Sequence, residues 1–423
     1  MSASLKKDPL NVKIIIAGAV GNALEWYDFA IYGYFASQIG RNFFPNENPI
    51  NQLLAAFGIF AVGYLMRPLG GALFGFVGDR YGRKSALTYS VVAMAIPTFI
   101  VGVIPGYEVI GIAAPLILTI LRMVQGLSIG GEYTTSMIFL VENAPPHRKA
   151  FMGSFACIGC IIGILLGSSS GALMAALLSP EELNSWGWRV PFLSGLVMGL
   201  AGLLVRRHIP GTEPVSDTST APLLVILKNH RPLMYRLSAL AMLNAIPFYL
   251  VFVYSVTWFQ KLDKLSPSEA LNITTISLAM LVLALFVVGL VGDRVGIKKI
   301  LFGSSICFFI FALPLQWLLY HSEFSLILLG QFGLSVLVGS WLAVVSTFMV
   351  ENVPESIRCT AISIGYNLTV GVIGGLTPLI ATWLVHHTNN ALSPAYLTMG
   401  AAAISFVALL FFKDNQKYPL NKT

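Results

Sequence analysis

Apolar runs long enough to cross roughly 30 Å of hydrocarbon at 1.5 Å per residue lie near residues 14–38, 51–77, 85–104, 111–140, 151–178, 190–208, 234–259, 270–291, 300–320, 324–349, 360–386 and 394–412. They predict twelve transmembrane helices, an all-α integral membrane protein. The first run is interrupted by GNALEWYDFAIYGY, residues 21–34, which sets Glu25 and Asp28 three apart on one helical face. At 100° per residue, Gly18, Gly21, Asn22, Phe29 and Tyr32 fall within about 60° of Glu25. Ile16, Val20, Ala23, Tyr27, Ala30 and Tyr34 lie on the other side. An acid at bilayer depth costs roughly 2.5 to 3.5 kcal/mol, so a helix carrying two must turn them toward a protein interior or a watery cavity. This helix is expected to form one wall of a polar pathway.

Composition agrees with the pattern. Of 423 residues 56% are hydrophobic and only 11% charged, and the mean hydropathy is +0.76, far from a soluble domain, where about a quarter of residues are charged. The formal charge of +7 does not point to nucleic acid, because the basic residues form short clusters between apolar runs rather than one surface. Twenty of the 26 Lys and Arg, Arg206 and Arg207 among them, fall at the two ends or in loops after even-numbered spans. Arg41, Arg189, Lys261 and Lys264 fall in the opposite loops, and Arg67 and Arg122 lie inside spans. That asymmetry predicts cytoplasmic termini. The polar first dozen residues read as a retained cytoplasmic end rather than a cleaved signal. The four cysteines make no disulfide framework, and Cys157-Ile-Gly-Cys160, inside a glycine-rich apolar span, is read as packing rather than metal or redox chemistry.

The chain repeats itself. Gly78-Asp-Arg-Tyr-Gly-Arg-Lys-Ser-Ala-Leu87 returns as Gly292-Asp-Arg-Val-Gly-Ile-Lys-Lys-Ile-Leu301, identical at six of ten positions. Val141-Glu-Asn-Ala-Pro145 with Arg148 returns as Val350-Glu-Asn-Val-Pro354 with Arg358. Two markers in one order predict pseudo-symmetric six-helix bundles over residues 1–209 and 233–423, joined by a cytoplasmic linker over 210–232.

Twelve spans in two halves, the GDRYGRK loop and Arg122-x-x-Gln125-Gly126-x-x-x-Gly130-Gly131-Glu132 resemble the major facilitator superfamily. EWYDF at 25–29, Arg67-Pro-Leu-Gly-Gly71, GGEYTT at 130–135, the VENAPPHR turn and Trp186-Gly-Trp-Arg-Val-Pro-Phe192 resemble its metabolite:proton symporter branch, whose members include bacterial proline/betaine, α-ketoglutarate, citrate and shikimate transporters. The resemblance implies the major facilitator fold, alternating access in the bacterial inner membrane, protons as coupling ion, no other cofactor or metal, and function as a monomer. It also implies that Asp79, with Arg80 and Arg83, latches the halves, with Asp293 and Arg294 as the second copy. A carboxylate at the positive amino end of span 11, near Thr360, would make such a contact. The second copy has Ile297 in place of Arg83, and the tail to Thr423 lacks a long heptad extension, so no coiled-coil osmotic control is implied.

Well inside the spans the sequence places Glu25, Asp28, Arg67, Arg122 and Glu132, all in the first half. Three acids against two bases leave one negative charge, the condition under which a buried carboxyl takes up a proton. Glu25, Asp28 and Glu132 are therefore the candidate proton carriers, and Arg67 or Arg122 the candidate receiver of a substrate carboxylate. Static ion pairs are the structural alternative. Further binding candidates are Asn22, Tyr32 and Gln125, with Asn244, Tyr249, Tyr254, Trp258, Gln331, Trp341, Tyr366 and Asn367 from the uncharged second half, for each of which packing is the structural alternative and, for Trp258, an aromatic-belt anchor. Trp26, Tyr32 and Tyr254 could cage a quaternary ammonium. Glycines at 159, 163, 167 and 171 form a ridge for close helix packing. No HExxH, GxSxG or phosphate loop is present, so no enzyme activity is expected. The substrate expected first is a proline- or betaine-like zwitterion. An α-ketoglutarate- or citrate-like carboxylate comes second, requiring both arginines, and an exporter or uniporter of the same fold is the remaining alternative.

Overall fold

The computed structural model describes residues 11–45, 48–207, 226, 228–255, 259, 267–321 and 323–412. Most of the expected linker over 210–232 lies outside these residues, as do Trp258, Lys261, Lys264 and the terminal lysines. All regular structure among the described residues is helical, as lipid demands of a backbone that must satisfy its own hydrogen bonds. Among the described residues twelve helices are long and apolar enough to cross a membrane. They are α1 (Val12–Tyr34), α2 (Asn51–Arg80), α3 (Arg83–Val103), α4 (Ala113–Glu142), α5 (Lys149–Leu177), α6 (Val190–Arg207), α7 (Arg231–Tyr254), α8 (Pro267–Val295), α9 (Ile297–Leu318), α10 (Phe324–Glu351), α11 (Glu355–Thr388) and α12 (Ser393–Leu410).

Three of them are broken where the sequence weakens the hydrogen-bond ladder. In α2 the helix restarts after Met66, because Pro68 has no N–H to offer the preceding turn; Arg67 sits at that break and is 2% exposed. In α7, Pro247 precedes a π-helical turn over Leu250–Tyr254. In α11 a π-helical stretch spans Thr369–Gly374. All three breaks border the centre of the molecule, where wide or irregular turns concentrate at functional sites.

Within the first half α1 lies along α5, and α4 packs on α2 and α3; within the second, α10 packs on α8 and α9. Between the halves the most extensive packing is α2 on α11 and α5 on α8, with α10 also against α5 and α4, and α11 against α4. The glycine ridge of α5 is what brings α1 so close. Gly159 and Gly163 face the backbones of Ala19 and Ala23, and Gly171 faces the ring of Tyr34. Gly82 and Gly296, the second glycines of the repeated loop, hold φ of 88° and 108°, which explains why glycine recurs there.

Candidate functional site

At the end of the molecule where α2 stops and α11 starts, the two halves are joined by polar contacts. Asp79, at the end of α2 and fully buried, accepts from the backbone N–H groups of Cys359 and Thr360 at 3.0 and 2.9 Å and from the Thr360 hydroxyl at 2.8 Å. These donors are the first turn of the α-helical part of α11, where the helix dipole favours an anion. Arg83 bridges Asp79 at 3.1 Å and Glu142 at 3.2 Å, and Arg358 reaches Glu142 at 2.6 Å from the other half. The second copy repeats half of this. Asp293 accepts from the N–H groups of Ala150 and Phe151 at 2.8 and 3.0 Å, but Ile297 replaces the bridging arginine and is buried among apolar side chains. Arg80 and Arg294, counted with the gate from the sequence, are exposed at the surface; Arg80 lies over the Phe76 ring.

Above this closed end a small cavity lies between the halves, lined by Trp26, Arg67, Tyr133, Cys157, Cys160 and Ile161 from the first and Asn244, Ala245, Phe248, Tyr249, Leu342, Tyr366 and Val370 from the second. Its volume of about 30 Å³ holds roughly two waters and is too small for a metabolite, so the conformation is closed around the centre. Aromatic rings make most of its wall: Tyr133 stacks on Tyr366 at 5.1 Å and Trp26 meets Phe248 edge-on at 5.8 Å. Tyr64 and Tyr249 close hydroxyl to hydroxyl across the seam at 3.2 Å. Asn244 donates to the Tyr366 hydroxyl at 2.9 Å.

Arg67 is the cation of this cavity. Its Nε donates to Asn367 Oδ1 at 3.4 Å, its guanidinium lies 5.4 Å from the Tyr64 ring, and its Nη1 is buried without a partner. Asn367 is held in turn by Gly130 and Ser363 carbonyls at 2.5 and 2.8 Å. Glu25 is 2% exposed, makes no ion pair and leaves Oε2 unpartnered, yet it is close enough to Arg67 for their charges to interact.

The other acids are paired, each by an arginine on another helix. Arg122 meets Asp28 at 2.5 Å, and Thr98 and Gln125 both donate to the same carboxylate at 2.9 Å. The Arg122 guanidinium lies 3.8 Å from the Tyr32 ring, whose hydroxyl donates to Ala56 O at 2.8 Å. This cluster is enclosed within the first bundle, so Arg122, Gln125 and Tyr32 do not line the cavity as the sequence suggested. Asn22 is likewise spent inside the bundle, donating to Ser136 Oγ and Ala156 O at 2.6 and 3.0 Å. In the second bundle Gln331 donates to Val251 O at 2.6 Å, closing the π turn of α7, and Tyr254 reaches Thr382. The cage of Trp26, Tyr32 and Tyr254 therefore does not assemble; Tyr133, Phe248, Tyr249 and Tyr366 surround the centre with Trp26 instead.

The largest correction concerns Arg206. Counted by sequence as a cytoplasmic loop residue, it is 1% exposed and pairs with Glu132 inside the first bundle. The intramembrane charges are thus three acids and three bases, not three and two. A signal was available: Val190 to Arg206 covers only about 24 Å, short of the roughly 30 Å a span must cross.

Two family models match the chain: Sugar (and other) transporter over residues 14–213 and Major Facilitator Superfamily over 263–423. The glycine betaine/proline/ectoine/pipecolic acid transporter OusA of Dickeya dadantii is 35% identical over 96% of this chain and 84% of its own. The proline/betaine transporter of Escherichia coli K12 is 33% identical over the same shares, and a putative proline/betaine transporter of Staphylococcus aureus 34% identical over 94% and 87%. Among solved structures, the proton:xylose symporter XylE bound to 6-bromo-6-deoxy-D-glucose superposes with a TM-score of 0.78 at 19% identity, covering 95% of this chain and 94% of that one. A D-xylose-proton symporter gives 0.67 at 20%, covering 96% and 98%. Twelve spans, the paired six-helix halves and these relatives together place the chain in the major facilitator superfamily, in its metabolite:proton symporter branch, as a multi-pass membrane transporter of small molecules.

Proposed function

We propose that the protein is a proton-coupled importer of a small zwitterion of the proline or betaine kind, working as a single chain in the bacterial inner membrane with both termini cytoplasmic. One observation carries this reading: the central cavity holds one arginine with an unpaired N–H, a ring of aromatic side chains, and beside them an acid with no ion pair. A substrate carboxylate suits Arg67. A quaternary or secondary ammonium suits the faces of Trp26, Tyr133 and Tyr366. A di- or tricarboxylate would need the second arginine, and Arg122 is committed to Asp28.

Coupling follows from competition for Arg67. An ionised Glu25 and a substrate carboxylate both seek the same guanidinium, and a proton on Glu25 removes the first competitor. Proton and substrate then load together. Release of the Asp79 and Asp293 contacts opens the cytoplasmic side, the halves rocking about the cavity. The relatives named as proline/betaine transporters support the substrate class.

The test is uptake by reconstituted protein under an imposed pH gradient against a panel of zwitterions and organic acids. Proline or glycine betaine is expected to accumulate uphill, and Glu25→Gln to abolish that accumulation. Uphill uptake of dicarboxylates alone would replace the substrate class. Gradient-independent equilibration would make it a uniporter, and outward flux an exporter. Full accumulation by the Glu25 variant would remove Glu25 from the coupling.

A further inference from the structure

Glu132 and Arg206 form a buried pair that neither lines the cavity nor joins the cytoplasmic latch. Arg206, in the last turn of α6, turns inward: Nε donates to Ala17 O of α1 at 3.0 Å, Nη1 to Leu87 O of α3, and Nη2 to the Glu132 carboxylate of α4. The other Glu132 oxygen accepts from the Ser90 hydroxyl. The carboxylate occupies a notch that exists because residue 21 is glycine; a Cβ there would overlap Glu132 Oε1 and Arg206 Nη2. Gly21 stands one turn before Glu25, on its cytoplasmic side. From the cavity toward the cytoplasm the order is therefore Glu25, Glu132, then Arg206, with Arg207 beyond it exposed at the helix end.

Glu132 is near enough for its charge to act on Glu25, and a second acid one turn away penalises an ionised Glu25, which a purely structural tie would avoid. Among the described residues the other acid near Glu25 is Asp28, which lies three residues farther from the cytoplasmic end and is enclosed by Arg122, Thr98 and Gln125. Of the remaining neighbours, α2 contributes Arg67 and Tyr64, α3 the Ser90 hydroxyl, α4 itself Tyr133, α5 the thiols of Cys157 and Cys160, α7 Tyr249, and α11 Tyr366.

Building on the symport reading, we infer that Glu132 accepts the proton leaving Glu25 on its way to the cytoplasm, and that Arg206 is the positioning residue that holds Glu132 in the Gly21 notch and drives the proton off it. In the first step the carboxyl of Glu25 gives its proton to the Glu132 carboxylate, leaving Glu25 ionised and Glu132 neutral. In the second, neutral Glu132 gives that proton to cytoplasmic water and its pair with Arg206 re-forms. No electron is transferred, and charge is conserved in each step.

The experiment compares wild type, Arg206→Gln, Arg206→Lys and Gly21→Ala in proteoliposomes, using whichever of proline or glycine betaine the wild type accumulates. It reads uphill uptake as a function of pH, exchange without a gradient, and thermal stability in detergent. Arg206→Gln and Gly21→Ala are expected to cut accumulation about tenfold, to reduce exchange less, and to move the uptake profile about one unit toward alkaline pH, since a carboxylate without its cation gives up a proton less readily. Arg206→Lys, which keeps the charge, is expected to restore most of the profile. Equal losses of exchange and accumulation with an unmoved profile would show a structural pin and overturn the inference. Should Arg206→Gln fail to fold, an unmoved profile in Gly21→Ala overturns it equally. A wild type indifferent to the pH gradient would overturn the symport reading, and this inference with it; a proton-driven wild type with unmoved variants overturns this inference alone.

Discussion

The first six helices bury eight charged side chains, Glu25, Asp28, Arg67, Asp79, Arg83, Arg122, Glu132 and Arg206, and among the described residues the last six bury none. The contrast extends to the backbone. In the first half α1 and α5 run regularly and close together along a glycine ridge, and α2 restarts once, after Met66, without a π turn. In the second, α7 and α11 carry π-helical turns at the level of the cavity. Six of the eight are held in ion pairs, Asp79 with Arg83, Asp28 with Arg122 and Glu132 with Arg206, and stranding one of a buried pair costs several kcal/mol. The charged half is built to keep its geometry. The neutral half contributes aromatic faces, hydrogen bonds and irregular turns, and it can reshape around a substrate without stranding a charge.

Backbone substitutions probe this contrast most strongly. A side chain at Gly163 would run into the Ala23 carbonyl of α1, so Gly163→Val is expected to cost more than about 4 kcal/mol, an exceptional loss for one substitution, visible as absent folded protein. A methyl group at Gly375 in α11 would meet no other atom within 4 Å, so Gly375→Ala should change stability by less than about 0.5 kcal/mol in thermal denaturation. Equal tolerance at both sites would break the comparison.

The two carboxylates proposed to hold the halves closed come next. Asp79 has three hydrogen bonds to α11 and the Arg83 bridge, whereas Asp293 has two and is only half-buried. Asp79→Asn is therefore expected to raise the inward-facing population about tenfold, and Asp293→Asn about threefold, read by labelling of cysteines introduced on the cytoplasmic side. The reverse order would show that the second latch governs opening. The smallest effect belongs to Lys149, paired with Glu351 at 2.9 Å with roughly a quarter of each side chain exposed. Lys149→Gln should cost about 0.5 kcal/mol or less, and the difference should vanish in about 1 M salt.

Much of this arrangement is legible in the order of residues. The superfamily resemblance carried by the Gly-Asp-Arg loop implies a carboxylate facing the start of α11, and Asp79 does sit against Cys359 and Thr360. The polar faces of α1 and α4 are readable from helical periodicity, because in lipid a charge must turn inward. Tyr32, Asn22 and Gln125 were on the right faces but in the wrong compartment. A helical face points toward a neighbour, and periodicity does not say whether that neighbour belongs to the same bundle or the other one. Tyr133 was passed over because it stands about 100° from Glu132 on α4, toward the α10 and α11 side, where it meets Ser346 and Tyr366.

Hydropathy and the internal repeat were enough to establish twelve helices, two halves and a polar first half, because a bilayer allows a chain of this composition few other ways to satisfy its backbone. Which acid stays unpaired was beyond them. Asp28 finds Arg122 across 94 residues and Glu132 finds Arg206 across 74, and Glu25 is left without an ion pair near Arg67. Pairing energies between buried charges depend on separations of a few ångströms, and those separations exist only once the helices have packed.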